Sequence, residues 1–357
     1  MASIIDVARL AGVSPATVSR VLSSSRYAVS AATRERVLDA ARSLDFVPNA
    51  LARGLLKSYV PVVGVIVHDI TDPYFAEVVR GVEDSASPGG YLVITCSSDR
   101  VAATEQSYVR LLRSMRAATL IFAGSGLDDP ELNDAVRRHT LAMRSYGAAV
   151  VHCSPHVLGP PDVGIDNAAA MASMVEHVIG LGHRRIAFLA GPTSLFVARE
   201  RLAGYRRALA DAEIAYDTRL VPSTSFNREG GARAIDELLA GESEFTAICA
   251  SNDLLALGAL ERLAQLGIDV PDDVSVAGFD DIPMAAMLAP SLSTVRVPLR
   301  EVGRRAFEYA ERVLAHGRPR RQVLSTEVVM RDSTSAPPAM ALPGRFRAPA
   351  TAMVASA

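Results

Sequence analysis

Apolar residues at the start of the chain recur at three- and four-residue intervals, and after residue 60 they gather into short unbroken runs. In the segment Ile5 to Gly12 this spacing places Ile5, Val7, Ala8 and Ala11 on one face of a short helix, and Gly12 supplies the turn that ends it. Ser14 is a capping residue type. Pro15 suits the first turn of a helix, where a missing N–H costs nothing, so a second helix is expected to run to Leu22. It turns Pro15, Ala16, Ser19 and Arg20 outward and buries Val18, Val21 and Leu22. Two short helices joined this way form a helix-turn-helix. Ser30 then caps a third helix with an apolar stripe at Val37, Ala41 and Leu44. Pro48 ends the three-helix unit, and Asn49 to Leu56 reads as a short helical hinge before Tyr59-Val60-Pro61.

Beyond the hinge the pattern changes to apolar runs too short for helices: Val62 to Val67, Tyr91 to Thr95, Thr119 to Phe122 and Ala148 to Val151. Helical stretches such as Phe75 to Ser85 and Thr104 to Arg113 separate them, the signature of parallel strands with crossover helices. A second series begins at Val163. Its expected strands are Ile186 to Ala190, Leu220 to Pro222, Ala247 to Ala250 and Val274 to Ala277. Its expected helices lie near Ala168 to Ile179, Glu200 to Ala210, Gly230 to Leu239 and Leu254 to Leu266. Two similar α/β lobes follow from this repetition. The tail from Ala336 to Ala357 holds proline and alanine without a heptad pattern, and it is expected to be disordered.

Composition changes the picture in three ways. A chain of 357 residues, 49% hydrophobic, is long enough for several modules with cores. The net charge of −2 hides an asymmetry: residues 1 to 57 hold eight basic side chains against four acidic ones, or +4, so the remainder carries −6. Positive charge concentrated at one end attracts a polyanion there. Cys96, Cys153 and Cys249 are far apart with no paired spacing, which fits packed, reduced thiols. With no export signal and no membrane-spanning run, the expected location is cytoplasmic, with no membrane partner.

The segment Val13-Ser-Pro-Ala-Thr-Val-Ser-Arg-Val-Leu22 resembles the recognition segment of the lactose-repressor (LacI/GalR) family of transcriptional regulators. The likeness continues through Val47 to Arg53, Asp72 to Gly81, Gly180 to Ile186, Asn252-Asp253 with Leu257 to Leu260, and Pro271 to Asp281. It implies an all-α helix-turn-helix DNA-binding domain over residues 1–47 and a hinge helix and linker over 48–60. It also implies an α/β periplasmic-binding-protein-like core of two doubly wound parallel-sheet lobes. The N-terminal lobe would take 61–160 and 292–322, the C-terminal lobe 163–289 and 323–333, hinged like a clam and crossed three times by the chain.

The resemblance implies a homodimer on double-stranded DNA with a pseudo-palindromic operator, since one helix reads few bases and paired half-sites match two-fold symmetry. Pro15, Ala16 and Arg20 would face base edges, while Ser14, Thr17, Ser19 and Arg26 hold phosphates or set the register. Asn49, Arg53 and Leu55 fall on the family's hinge segment, where a leucine from each subunit wedges into the minor groove. Gly54 stands where the family usually has serine, and the loop Ser23 to Val29 is one residue longer than usual. Between the lobes the matching residues are Asp72, Tyr74, Phe75, Arg201, Phe226, Asn252 and Asp280. Carboxylates, an amide, a guanidinium fork and aromatic faces suit a sugar or nucleoside effector.

Other classes find less support in the residues. An exported solute-binding protein would share the clam but needs a signal and no DNA module. A sugar-active enzyme needs a catalytic set, and Gly124-Ser125-Gly126 lacks the third glycine of a dinucleotide loop. His152-Cys153-Ser-Pro-His156 has metal-ligand residue types but reads as a chance cluster, and His183 as a turn residue. No enzyme activity, cofactor or metal is expected. The combined expectation is a ligand-responsive repressor.

Overall fold

The computed structural model describes residues 2–22, 29–46 and 59–342. Helix α1 (Ile4–Ala11) starts at a reciprocal cap: Asp6 N–H donates to Ser3 Oγ at 3.3 Å and Ser3 N–H to Asp6 Oδ2 at 2.9 Å. It ends at Gly12, whose φ of +64° is the left-handed turn that lets α2 (Pro15–Leu22) leave at an angle. Ser14 Oγ accepts the Thr17 N–H at 3.2 Å, and Ser30 Oγ caps α3 (Ala31–Ser43) by accepting the Thr33 N–H at 3.2 Å. Val7, Ala8, Ala11, Val18, Val21, Val37, Ala40 and Ala41 form the buried core of this unit. The expected inward face of α1 needs one correction. Ile5 is 58% exposed and Ile4 packs on the core instead, because with the helix starting after Ser3 the stripe runs 4, 7/8, 11.

The first lobe is a four-stranded parallel sheet in the order β2-β1-β3-β4: β1 (Val60–Val67), β2 (Leu92–Ser97), β3 (Ala117–Phe122) and β4 (Ala149–His152). Helices α4 (Pro73–Ala86), α5 (Ala102–Ser114) and α6 (Pro130–Ser145) connect them. Every residue of β3 is buried, as helices on both faces require. After a short crossing strand β5 (Val163–Gly164), the second lobe sets β6 (Ile186–Leu189), β7 (Ala247–Ala250) and β8 (Ser275–Ala277) side by side in parallel. Its helices are α7 (Asn167–Gly180), α8 (Phe196–Asp211), α9 (Arg228–Ala240) and α10 (Asp253–Gln265). The strand expected over Leu220 to Pro222 is not one. Thr218–Leu220 is a 3₁₀ turn and pairing shrinks to a single bridge, Ala190 to Ser223, beside a proline that has no N–H to give.

The chain then returns. Strand β9 (Thr294–Arg296) leads back to α11 (Leu299–Leu314), which packs on α4 of the first lobe. Strand β10 (Gln322–Val323) pairs with β5, and β11 (Glu327–Val329) runs antiparallel to β9. These paired crossings are the connections between the lobes. The tail corrects another expectation: residues 336–342 are placed, with Phe245 and Leu342 exchanging both backbone hydrogen bonds and Leu342 buried against the second lobe. An apolar side chain with a pocket to fill outweighs the proline-rich composition around it. Residues 343–357 lie outside the described residues.

The α4/α11 contact is set by glycine. A Cβ at Gly303 would lie 1.9 Å from the Val78 carbonyl oxygen, and one at Gly81 would lie 2.0 Å from that of Arg300. Gly303→Ala is therefore expected to destabilise the core by about 1–3 kcal/mol, since backbone on both helices must move. Gly180, at the end of α7, has nothing within 4 Å of its Cβ position, and Gly180→Ala is expected to be neutral or stabilising by up to about 1 kcal/mol. Urea midpoints of the two variants check the pair. Equal behaviour would mean that helix approach is not what Gly303 serves.

Candidate functional site

The carboxyl ends of β1, β2 and β3 in one lobe face those of β6, β7 and β8 in the other, where open α/β sheets carry ligand sites. Asp72 caps α4, its Oδ1 accepting the Tyr74 N–H at 3.0 Å, and so aims Tyr74 and Phe75 from the first turn into the gap. Their rings meet edge to face with centroids 4.9 Å apart. Behind Phe75 stands His68, whose Nε2–H donates to the Ser125 carbonyl at 2.9 Å. Burial pushes this imidazole down to about 3, so it is neutral. Burial also raises the Asp72 carboxyl and the Tyr74 phenol above their ordinary values.

Arg201 dominates the opposite wall. Its Nε–H donates to Asn167 Oδ1 at 3.1 Å, Nη1 to the Ser251 carbonyl at 2.6 Å and Nη2 to Asp280 Oδ1 at 3.2 Å, while its plane lies 3.8 Å from the centre of the Phe279 ring. Asp280 is 4% exposed, and burial raises its carboxyl well above the ordinary range, with Arg201 opposing in part. Its φ of +119° is rare for a side-chain-bearing residue and turns the carboxyl into the gap. The neighbouring Asp253 holds that turn in place. It accepts the Ile282 N–H at 2.9 Å and the Thr294 hydroxyl at 2.6 Å, and its own N–H donates to the Phe279 carbonyl at 2.8 Å. Asn252 Oδ1 is taken by the cap of α10, accepting the Leu255 N–H at 3.0 Å, which leaves the amide to donate.

Asp72, Tyr74, Phe75, Arg201, Phe226, Asn252 and Asp280 all line this one cleft. So do His68, Arg100 and the apolar pair Leu195 and Val197, none of which the sequence pattern singled out, and Ser125, noted there only in an incomplete dinucleotide loop. Arg100 sits just past β2 with a φ of +59°, a strand-end position that could have drawn notice. The cleft is narrow, with about 50 Å³ of internal room, space for a few waters at most. One side is latched between lobes: Val197 N–H donates to Ser125 Oγ at 3.1 Å, Asp128 N–H to the Ser194 carbonyl at 2.8 Å, and Arg199 pairs with Asp128 at 2.8 Å.

On the helix-turn-helix, Ser14, Pro15, Ala16 and Arg20 are exposed, whereas Thr17 and Ser19 are half-buried. The Ser14 and Thr17 hydroxyls hydrogen-bond each other at 3.0 Å, so both already serve the cap. Arg26, Asn49, Arg53 and Leu55 lie outside the described residues. His152 and His156 stack 5.5 Å apart, His152 bound to Asp162 at 3.0 Å. Among the described residues no three His, Cys, Asp or Glu side chains gather to hold a metal, and no helix is long and apolar enough to cross a membrane.

Burial raises the Asp253 carboxyl to about 7, against about 3.9 in an unfolded chain. The folded state thus holds a proton that the unfolded state releases, and this group's contribution to stability is complete below about pH 4 and lost as pH rises through 7. Asp253→Asn, which can still bond Ile282 and Thr294, is expected to gain on the parent by up to about 1.4 kcal/mol per pH unit across that window. Unfolding midpoints of both proteins from pH 4.5 to 7.5 measure it. A constant difference would show that the carboxyl is ionised throughout.

The comparisons with known proteins agree with this geometry. The signature of bacterial regulatory proteins of the lacI family matches residues 3–49, and that of the periplasmic binding protein-like domain matches residues 175–334. The HTH-type transcriptional repressor PurR of Vibrio campbellii is 36% identical over 309 residues, covering 86% of this chain and 90% of its own. PurR of Photobacterium profundum is 34% identical over 337 residues, covering 93% and 98%. Among solved structures, the lac repressor dimer bound to operator and the anti-inducer ONPF superposes with a TM-score of 0.80 at 26% identity, covering 94% and 99%. The transcriptional regulator CelR–cellobiose complex gives 0.68 at 31%, covering 93% and 100%. With its helix-turn-helix, its paired parallel-sheet lobes and relatives that match along nearly all of its length, this chain belongs to the lacI family of bacterial regulatory proteins, DNA-binding transcriptional repressors that respond to small molecules.

Proposed function

We propose that the cleft between the lobes is the effector site and that its occupancy sets operator affinity through lobe closure. The observation that supports this most is the placement of Arg201 and Asp280 on one wall opposite Asp72, Tyr74 and Phe75 on the other. A ligand touching both walls binds one lobe arrangement better than another, and only such a difference can shift the equilibrium. Arg201 and Asp280 supply a donor fork and an acceptor for ring hydroxyls, while Phe226, Tyr74 and Phe75 offer aromatic faces, a set that suits a sugar or nucleoside. With about 50 Å³ free, the lobes must part on the side away from the latch to admit a ring. CelR was solved as a cellobiose complex, a precedent for a sugar effector among the proteins this chain is similar to.

At the DNA end, two copies of the chain set their α2 helices on the half-sites of a pseudo-palindromic operator, with Pro15, Ala16 and Arg20 toward base edges. Asn49, Arg53 and Leu55 of the two hinges meet at its centre, and lobe closure changes the spacing between those hinges.

Two outcomes check this reading. Arg20→Ala is expected to weaken operator binding by about 1–3 kcal/mol with little change on scrambled DNA, because an arginine on a guanine edge discriminates bases. Fluorescence titrations on a fragment selected from random DNA measure both, and equal losses on the two would make Arg20 a phosphate contact. Asp280→Asn keeps the side chain's shape but replaces one carboxyl oxygen with an amide nitrogen that cannot accept. It is expected to abolish the effector's influence on operator affinity, and the titration with and without effector measures that. A normal response in this variant would place the effector elsewhere.

A further inference from the structure

Beyond residue 57 the chain is acidic in balance, yet one side of the first lobe is positive. Arg110 and Arg113 of α5, Arg116 just after it, and Arg137, Arg138 and Arg144 of α6 are all exposed. The stretches 106–127 and 135–161 that contain them hold no Asp or Glu. Arg113 donates to His139 Nδ1 at 2.9 Å and Arg137 to the Val157 carbonyl at 3.0 Å. Among the described residues no carboxylate forms an ion pair with Arg110, Arg113, Arg137, Arg138 or Arg144. Burial and then the charges of Arg113, Arg138 and Arg110 hold His139 below its ordinary value, so the field at its ring is positive. A cation in the last turn of a helix answers the helix dipole, which accounts for Arg113 and Arg144. That effect fades within a turn and does not reach Arg110, Arg137 or Arg138.

The position of this face says what it meets. The strands are parallel, so β1, β3 and β4 begin at the end of the sheet where α5 and α6 finish. Val60, the first residue of β1, is where the chain arrives from the helix-turn-helix, and its N–H donates to the Arg116 carbonyl at 2.8 Å. The Arg116 guanidinium lies 5.0 Å from the centre of the Tyr146 ring, which joins the ends of the two helices beside that entry. Phe46 packs on the helix-turn-helix core, and from there to Tyr59 the chain can reach at most about 45 Å. One turn of duplex spans about 34 Å, so the tether lets DNA that runs past a half-site come against these arginines. Leu111 and Leu141 are also exposed here, which would suit an acidic protein, but the place of the face beside the tether favours DNA.

We infer that the arginine face of α5 and α6 is a second DNA surface, holding phosphates of the duplex that flanks the operator while α2 reads the half-sites. It adds affinity without base preference, because phosphate contacts carry no sequence information.

The test compares a minimal binding fragment, selected from random DNA, with the same fragment extended by one helical turn of arbitrary sequence at each end. The full chain is expected to bind the extended fragment about fivefold or more tighter at low salt, with the gain vanishing as salt rises. Arg113→Gln with Arg144→Gln, and Arg110→Gln with Arg138→Gln, each checked for an unchanged melting temperature, are expected to bind the minimal fragment as the parent does and to lose the gain. Their salt slope on the extended fragment should fall by about one for each phosphate contact removed. Arg113→Lys with Arg144→Lys keeps the charge and is expected to keep the gain. The His139 imidazole gives an independent readout by NMR, since phosphates laid over its arginines raise its pKa, and only the extended fragment should do so. A gain that survives in both glutamine pairs, or no gain in the parent, overturns the assignment. Polyglutamate binding the face more tightly than duplex does would overturn it in favour of an acidic protein.

Discussion

A guanidinium cannot shed its charge inside a protein, so Arg201, 5% exposed, must be met by partners on every side. The second lobe supplies them from separate elements: Asn167 from the start of α7, the Ser251 carbonyl past β7, Asp280 past β8 and the face of Phe279. This demand draws the carboxyl ends of the strands together around one point. Asp280 in turn keeps its unusual backbone angle because Asp253 ties the following turn to β9, the strand that leads back into the first lobe. The charge that could fix a ligand is thus mechanically continuous with a crossing between lobes.

The first lobe is organised on the opposite principle. Its cleft residues are held by caps and neutral contacts: Asp72 at the head of α4, and His68 kept uncharged against the Ser125 carbonyl. The contacts from Ser125 to Asp128 tie the two lobes together, while Asp72, Arg100 and Phe226 line both the cleft and a neighbouring cavity of about 350 Å³.

The local elements were legible because their causes are local. Ser14 and Ser30 are capping residues followed by helices, and β1 and β3 are unbroken apolar runs because both faces are covered. Where local pattern misled, a neighbour distant in sequence was responsible or a boundary moved by one residue. Ile5 lost its place to Ile4 through the position of the Ser3 cap, and the composition of 336–342 gave no sign of Leu342 pairing with Phe245. The seven cleft residues were named through family resemblance rather than periodicity, since nothing in spacing links Asp72 to Asp280.

By itself, then, the sequence determined the helix-turn-helix, the alternation of strands and helices, the positive module on a negative body and the family. Each of these is written in short-range spacing or in sums over composition. Only the tertiary structure decided that α11 belongs with the first lobe, that His68 is neutral while Arg201 is fully paired, and that Asp72 and Asp280 line one cleft. Those properties depend on desolvation and on contacts between residues far apart in the chain, and neither leaves a mark on the residues beside them.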